Sequence, residues 1–238
     1  MLAGEASGDE HAASLAIALR QRVPNVRLVG IGGPMMKKAG VDLIAGLDDL
    51  AVMGIAEVLH RLPFFWQLEH KIQKAIAEPS VSLVILVDYP GFNLRIARAA
   101  KKIGKQVLYY IAPKVWASRS RRVGVLSECV DRMAVILPFE EELFKNWGVP
   151  ATFVGHPLLD RPDDVPDHST FCRTWGLDPG RPLLAILPGS RRQEIVRHLG
   201  TFIRASILVT ETHPEILPVF SGMPGLAPSV YDGSSPMV

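Results

Sequence analysis

The stretch AGEASGDEH, Ala3 to His11, places two glycines, a serine and three acids in nine residues. It runs directly into a helical pattern of Leu15, Ala16, Leu19 and Val23. Ser7 followed by Glu10 fits a capping box. Gly4 and Gly8 permit a sharp turn and a close approach of backbone to a ligand. A helix N-terminus at a strand's carboxyl end is where open α/β sheets bind ligands. Glu5 has no part in the cap and is a candidate for chemistry. The alternative is a capped helix and nothing more.

A second turn, VILVDYPGFN, ends an apolar run at Asp88 and breaks the chain at Tyr89-Pro90-Gly91. A carboxylate at a strand's carboxyl end is well placed for general-base work, and Asn93 is expected to cap the following helix. The plainer reading is an aspartate that only orders the turn. A third turn, LPGSRRQEI, repeats the first device: Ser190 and Gln193 fit another capping box. Arg191 and Arg192 add positive charge to the helix end, so a phosphate is the expected ligand. The alternative is a capped helix with solvated arginines. No Gly-Lys-Ser/Thr follows either loop, and VGIGGPMMKKAG carries Met35 at the third glycine's place of the dinucleotide fingerprint, which disfavours ATP and NAD. No cofactor is expected.

Other features bear on partners. In LAVMGIAEVLHRLPFFWQL, Leu50 to Leu68, Val52, Ile55, Leu59 and Leu62 recur at helical spacing, followed by Phe64, Phe65 and Trp66. Such a segment either lies in a membrane interface or is a buried core helix. WASRSRR, Trp116 to Arg122, is suited to a phosphate or a nucleic acid, or to a solvated loop. The formal net charge of +2 gives no argument for bulk nucleic-acid binding. The histidines show no paired metal-ligand spacing, and Cys129 and Cys172 are read as reduced thiols of a cytosolic protein. No signal peptide and no apolar stretch long enough to span a bilayer is present in the 238 residues.

The elements that must position these turns alternate. Apolar, β-rich runs fall at Val26–Gly30, Leu83–Val87, Gln106–Ile111, Arg132–Leu137, Ala151–Val154 and Leu183–Leu187, with helical patterns at Leu94–Ile103 and Phe139–Trp147. This predicts a layered α/β fold with a parallel sheet covered on both faces. The Pro- and Asp-rich stretch Leu158–Thr170 reads as a linker, with a second α/β unit after it.

The blocks AGEASGDEHAA, GIGGPMMKKAG, LAVMGIAEVL, ILVDYPGFNLRIARAAKK, VLYYIAPKVWA, DRMAVILPFEEELF, FVGHPLLD and LPGSRRQEI, in this order, resemble the lipid-A-disaccharide synthase family. The chain departs from the family pattern at Ala112, Lys114 and Ser118. The resemblance implies a GT-B-like fold of two Rossmann-like domains and no metal. It implies an acceptor-side domain over 1–160 with a membrane-interacting segment at 50–68, a linker at 161–180 and an incomplete start of the donor domain at 181–238. It implies an inverting transfer from UDP-2,3-diacylglucosamine to 2,3-diacylglucosamine 1-phosphate. Asp88 then maps to the base, Glu5 and Ser7 line the same cleft with Gly4, Gly8 and Asn93, and Ser190 and Arg191 hold phosphate. The implied partners are the two acyl sugars, the cytoplasmic face of an inner membrane and a further copy of the chain. Rival readings are a non-catalytic fragment and a UDP-sugar epimerase; the lipid-facing segment argues against the epimerase.

The resemblance also implies a longer first strand before Gly4 and a longer donor half after residue 238. Positioning two substrates across two domains supplies a large part of the rate. The 238 residues alone are therefore expected to be inactive. Steady, acceptor-dependent UDP release by the purified chain with both acyl sugars would overturn that expectation.

Overall fold

The computed structural model describes residues 1–50, 55–115, 121–160, 165–190, 192–223 and 226–231. The chain packs as two units, Met1–Arg161 and Pro162–Val238.

The first unit is a seven-stranded parallel sheet in the order β3-β2-β1-β4-β5-β6-β7. The strands are β1 (Leu2–Ala3), β2 (Val29–Gly32), β3 (Asp42–Gly46), β4 (Leu83–Val87), β5 (Gln106–Tyr110), β6 (Arg132–Val135) and β7 (Ala151–Phe153). The helices between them are α1 (Ala6–Arg22), α2 (Pro34–Lys38), α3 (Leu47–Leu50), α4 (Ile55–Ala77), α5 (Pro90–Lys102), α6 (Arg121–Cys129) and α7 (Pro138–Asn146). This is the doubly wound order, in which the chain leaves the central pair in opposite directions. The two residues before Gly4 suffice as a strand: Leu2 pairs with Ile31 on one side and Leu86 on the other, and Ala3 pairs with Val87.

Side chains alternate between two cores, as the period of a strand requires. Leu2, Val84 and Leu86 pack with α4 and α5, whereas Ala3, Ile85 and Val87 pack with α1 and α2. Residues that read as continuous apolar runs are thus buried on both faces. The buried face of α1 is Ala12, Ala13 and Ala16, small enough to bring the helix close to the sheet.

The strand bounds differ from expectation where glycine or strain decides them. The run expected at Val26–Gly30 pairs at Val29–Gly32, carried on through Ile31 to Gly32, a glycine that sequence pattern does not credit to a strand. β5 stops at Tyr110, because Ile111 turns to φ 64.

The second unit holds α8 (His168–Trp175), β8 (Leu183–Ile186), α9 (Arg192–Thr212) and β9 (Leu217–Phe220), with β8 and β9 forming a parallel pair. Part of the stretch expected as linker is therefore helical. Asp167 caps α8 by accepting from the Thr170 amide at 2.7 Å, and Gly176 ends it in the left-handed conformation. On α9, Ile207 and Leu208 are exposed, as expected of a two-stranded sheet that cannot cover a whole helix.

Asp9, which sequence reading left without a role, ties two βα units together. It is buried on α1 and accepts from Gly33 (2.7 Å) and Met36 (3.0 Å) on one oxygen and from Met35 (2.9 Å) on the other. These are the orphan donors at the start of α2. Asp9→Ala should destabilise the first unit by about 2–4 kcal/mol, because buried donors lose a charged acceptor. Urea denaturation followed by circular dichroism checks this; a change below about 1 kcal/mol would mean that water replaces the carboxylate.

Candidate functional site

The carboxyl ends of β1 and β4 lie side by side, since Ala3 is level with Val87. The turns that follow, Gly4-Glu5 and Asp88-Tyr89, therefore meet at the topological switch point, where open α/β sheets bind ligands. α1 begins at Ala6 with Glu5 as its N-cap residue, so its positive end faces the same crevice. Glu5 and Asp88 are both half-buried there.

The backbone at this edge is strained in three places. Asp88, Tyr89 and Ile111 have φ of 44°, 45° and 64°. Asp tolerates this region, but for tyrosine and above all β-branched isoleucine it costs on the order of 1–3 kcal/mol each. Pro90, the first residue of α5, bars the ordinary helical region to Tyr89 and so helps set the turn. The rest is held by hydrogen bonds. The Asp88 amide donates to the Tyr110 carbonyl at 3.1 Å, and the Ile111 amide to the Ala134 carbonyl at 3.0 Å. The Asp88 carbonyl accepts from the Tyr109 hydroxyl and from the Asn93 amide, each at 2.7 Å. Burial and the charge of Asp88 hold the Tyr109 phenol far above its ordinary range, so it acts as a donor. Burial and the charge of Glu5 likewise raise Tyr89, and burial and Asp160 raise Tyr110.

Several expected roles change. Ser7 does not cap α1: it lies exposed in the first turn, one residue past Ala6, so no Ser7–Glu10 box forms at the helix start. The side-chain face of Gly4 is already filled. A β-carbon there would fall 2.2 Å from the Tyr89 ring, which occupies that space. Gly8 is buried in the helix–sheet interface, where its β-carbon position lies 3.5 Å from that of Ala3. Asn93 is neither a cap nor a ligand contact. It is the fourth residue of α5, 1% exposed, and its side chain faces strand carbonyls. Tyr89 is the residue before α5 instead.

In the second unit, the turn between β8 and α9 is held by Glu194. The Glu194 carboxylate accepts from the Ser190 amide at 3.0 Å and its hydroxyl at 3.4 Å. Gly189 has φ 144°, and a β-carbon on it would lie 2.6 Å from that of Glu194. A phosphate at Ser190 would thus meet a resident carboxylate. Arg191 lies outside the described residues.

Of the segment read as lipid-facing, Val52 lies outside the described residues, and Ile55, Leu59 and Leu62 fall on α4. Phe64 and Phe65 are half-buried, edge to face with centroids 5.7 Å apart, and pack on the core of the first unit. Trp66 is 68% exposed and stacks on His70. Among the described residues, no helix is long and apolar enough to cross a membrane, and no group of three or more His, Cys, Asp or Glu side chains could hold a metal ion.

Sequence reading singled out Asp88 and Glu5, whose turns the sheet places side by side, but passed over Tyr89, Tyr109 and Asp9. The signal for Tyr109 was present: a tyrosine in a strand buried on both faces needs a partner for its hydroxyl.

Sheet order, switch-point crevice and strained carboxylate turn define a Rossmann-like α/β domain of the kind that GT-B glycosyltransferases use. The family model described as lipid-A-disaccharide synthetase matches residues 1–225, and the chain belongs to that family. Lipid-A-disaccharide synthase of Syntrophus aciditrophicus is 47% identical over 89% of this chain and 55% of its own length. Lipid-A-disaccharide synthase 1 of Legionella pneumophila (strain Lens) is 41% identical over 91% and 56%, and the synthase of Geobacter sulfurreducens is 40% identical over 98% and 60%. The chain thus spans a little over half the length of these curated relatives.

Replacing Phe64 and Phe65 together by serine removes two aromatic rings from the core edge. The double variant should be destabilised by several kcal/mol, about 2–5, read as a lowered melting temperature. A fully stable variant would show that the rings carry no packing energy.

Proposed function

We propose that the protein is an inverting glycosyltransferase of lipid A assembly. It joins UDP-2,3-diacylglucosamine to 2,3-diacylglucosamine 1-phosphate, giving a β-1,6-linked disaccharide phosphate and UDP. The observation that carries the reading is the position of Asp88 in a chain of this family, half-buried at the switch point beside Glu5.

The step needs a base. The Asp88 carboxylate takes the proton of the acceptor 6-hydroxyl as that oxygen attacks the sugar's anomeric carbon. The bond from that carbon to the UDP phosphate oxygen breaks on the opposite face, which inverts the centre. A carboxylate suffices because proton transfer is concerted with attack. Glu5 lies across the turn, where it orients the acceptor. Within the second unit, the loop of Ser190 and Arg191 is the part of the chain suited to a phosphate; for Ser190 this means displacing Glu194 from its amide. Both substrates carry acyl chains, so the protein works at the cytoplasmic face of the inner membrane, with exposed Trp66 as the aromatic that reaches the lipid interface.

Asp88→Asn keeps the shape of the side chain and removes the base. In the protein completed to the length of its relatives, acceptor-dependent UDP release should fall by about 10²–10⁴-fold. Activity within a few-fold of the parent would reject the role and make Glu5 the next candidate.

A further inference from the structure

We propose that Asn93 and Tyr109 are positioning residues that lock the backbone of Asp88 and thereby aim its carboxylate; the proposal rests on Asp88 being the base. The direction of a side chain is set first by its own φ and ψ, and these are fixed when the peptide groups on both sides are fixed. At Asp88 both are. The preceding peptide is pinned through the Asp88 amide, which donates to the Tyr110 carbonyl at 3.1 Å. The following peptide is pinned through the Asp88 carbonyl, which accepts from Asn93 Nδ2 and Tyr109 Oη at 2.7 Å each. Two donors use both lone pairs of that oxygen.

Neither donor is placed to touch a substrate. Tyr109 is 0% and Asn93 1% exposed, so both act from beneath the crevice. Asn93 does more than hold one carbonyl. The same nitrogen lies 3.2 Å from the Val87 carbonyl and 3.4 Å from that of Leu2. It therefore refers the Asp88 turn both to β4 and to β1, the strand that carries Glu5. An amide in the interior of a helix, where sequence rules place no special demand, is used here to join two strand ends. The left-handed φ of Asp88 and Tyr89 is what this clamp maintains against its conformational cost.

The test uses the protein completed to the length of its relatives, with kcat and KM measured for both substrates and melting temperature recorded for each variant. Asn93→Ala and Tyr109→Phe should lower kcat by up to about 10²-fold with KM unchanged, since a small misplacement of a reacting group has that effect. In an Asp88→Asn background neither should lower kcat further, because their effect passes through the carboxylate. Unchanged kcat, a matching rise in KM, or a further multiplicative loss in the Asp88→Asn background would each overturn the proposal. Tyr109→Phe removes a single oxygen and decides the question if Asn93→Ala does not fold. An active Asp88→Asn variant would reject the base itself. An inactive Asp88→Asn with fully active Asn93 and Tyr109 variants would reject only the positioning role.

Discussion

The carbonyl of Asp88 is the point on which the switch-point edge depends. It faces inward at the end of β4, where an extended strand would have passed it to a neighbour, and it takes hydrogen bonds from two buried side chains instead. Without those donors a buried carbonyl would be left unpaired, at a cost of about 1–3 kcal/mol. With them the chain can turn through two left-handed residues and enter α5 at once. The strain of the turn and its anchoring are thus parts of one arrangement, and the hydrogen bonds of Tyr109 and Asn93 offset the unfavourable dihedrals of Asp88 and Tyr89.

The same economy appears at Gly4. The carboxyl ends of β1 and β4 are level, with Ala3 beside Val87. The Tyr89 ring, thrown across by its unusual backbone, lies where any side chain on residue 4 would be. Glycine is required there by a neighbouring ring. This adds to how the motif AGEASGD is read: Gly4 makes room for the Tyr89 ring, Asp9 serves the start of α2, and Glu5 precedes the first turn of α1.

Periodicity and turn chemistry made the alternating α/β order, the parallel sheet and the two carboxylate-bearing turns legible in the sequence. Leu83–Val87 was readable to the residue, because a run of large aliphatics bounded by Ser82 and Asp88 admits few alternatives. Tertiary contacts decided the rest. Ser7–Glu10 satisfies the spacing of a capping box, yet α1 starts two residues earlier, with Glu5 at the N-cap position. Asn93 has the composition of a cap, yet Pro90 opens the helix before it. Glu194 lies outside the Ser190–Gln193 spacing, and only the geometry of Gly189 and Ser190 shows that it reaches back. Phe64 and Phe65 look lipid-facing as a cluster and are drawn onto the core by the course of α4. β3 ends in Ala45-Gly46 and carries too little β-rich pattern to stand out.

Asp9 has a consequence for how the molecule loosens. Its side chain leaves α1 and is held by three amides of the β2–α2 connection. Partial opening of the N-terminal helix therefore cannot proceed without releasing those amides, and opening of α2 strands a buried carboxylate. The two segments form one cooperative block for slow hydrogen exchange, although α2 by itself is only five residues long. The crevice wall that carries Glu5 inherits the rigidity of that block: its slow motions are those of two βα units opening together, not those of a short loop.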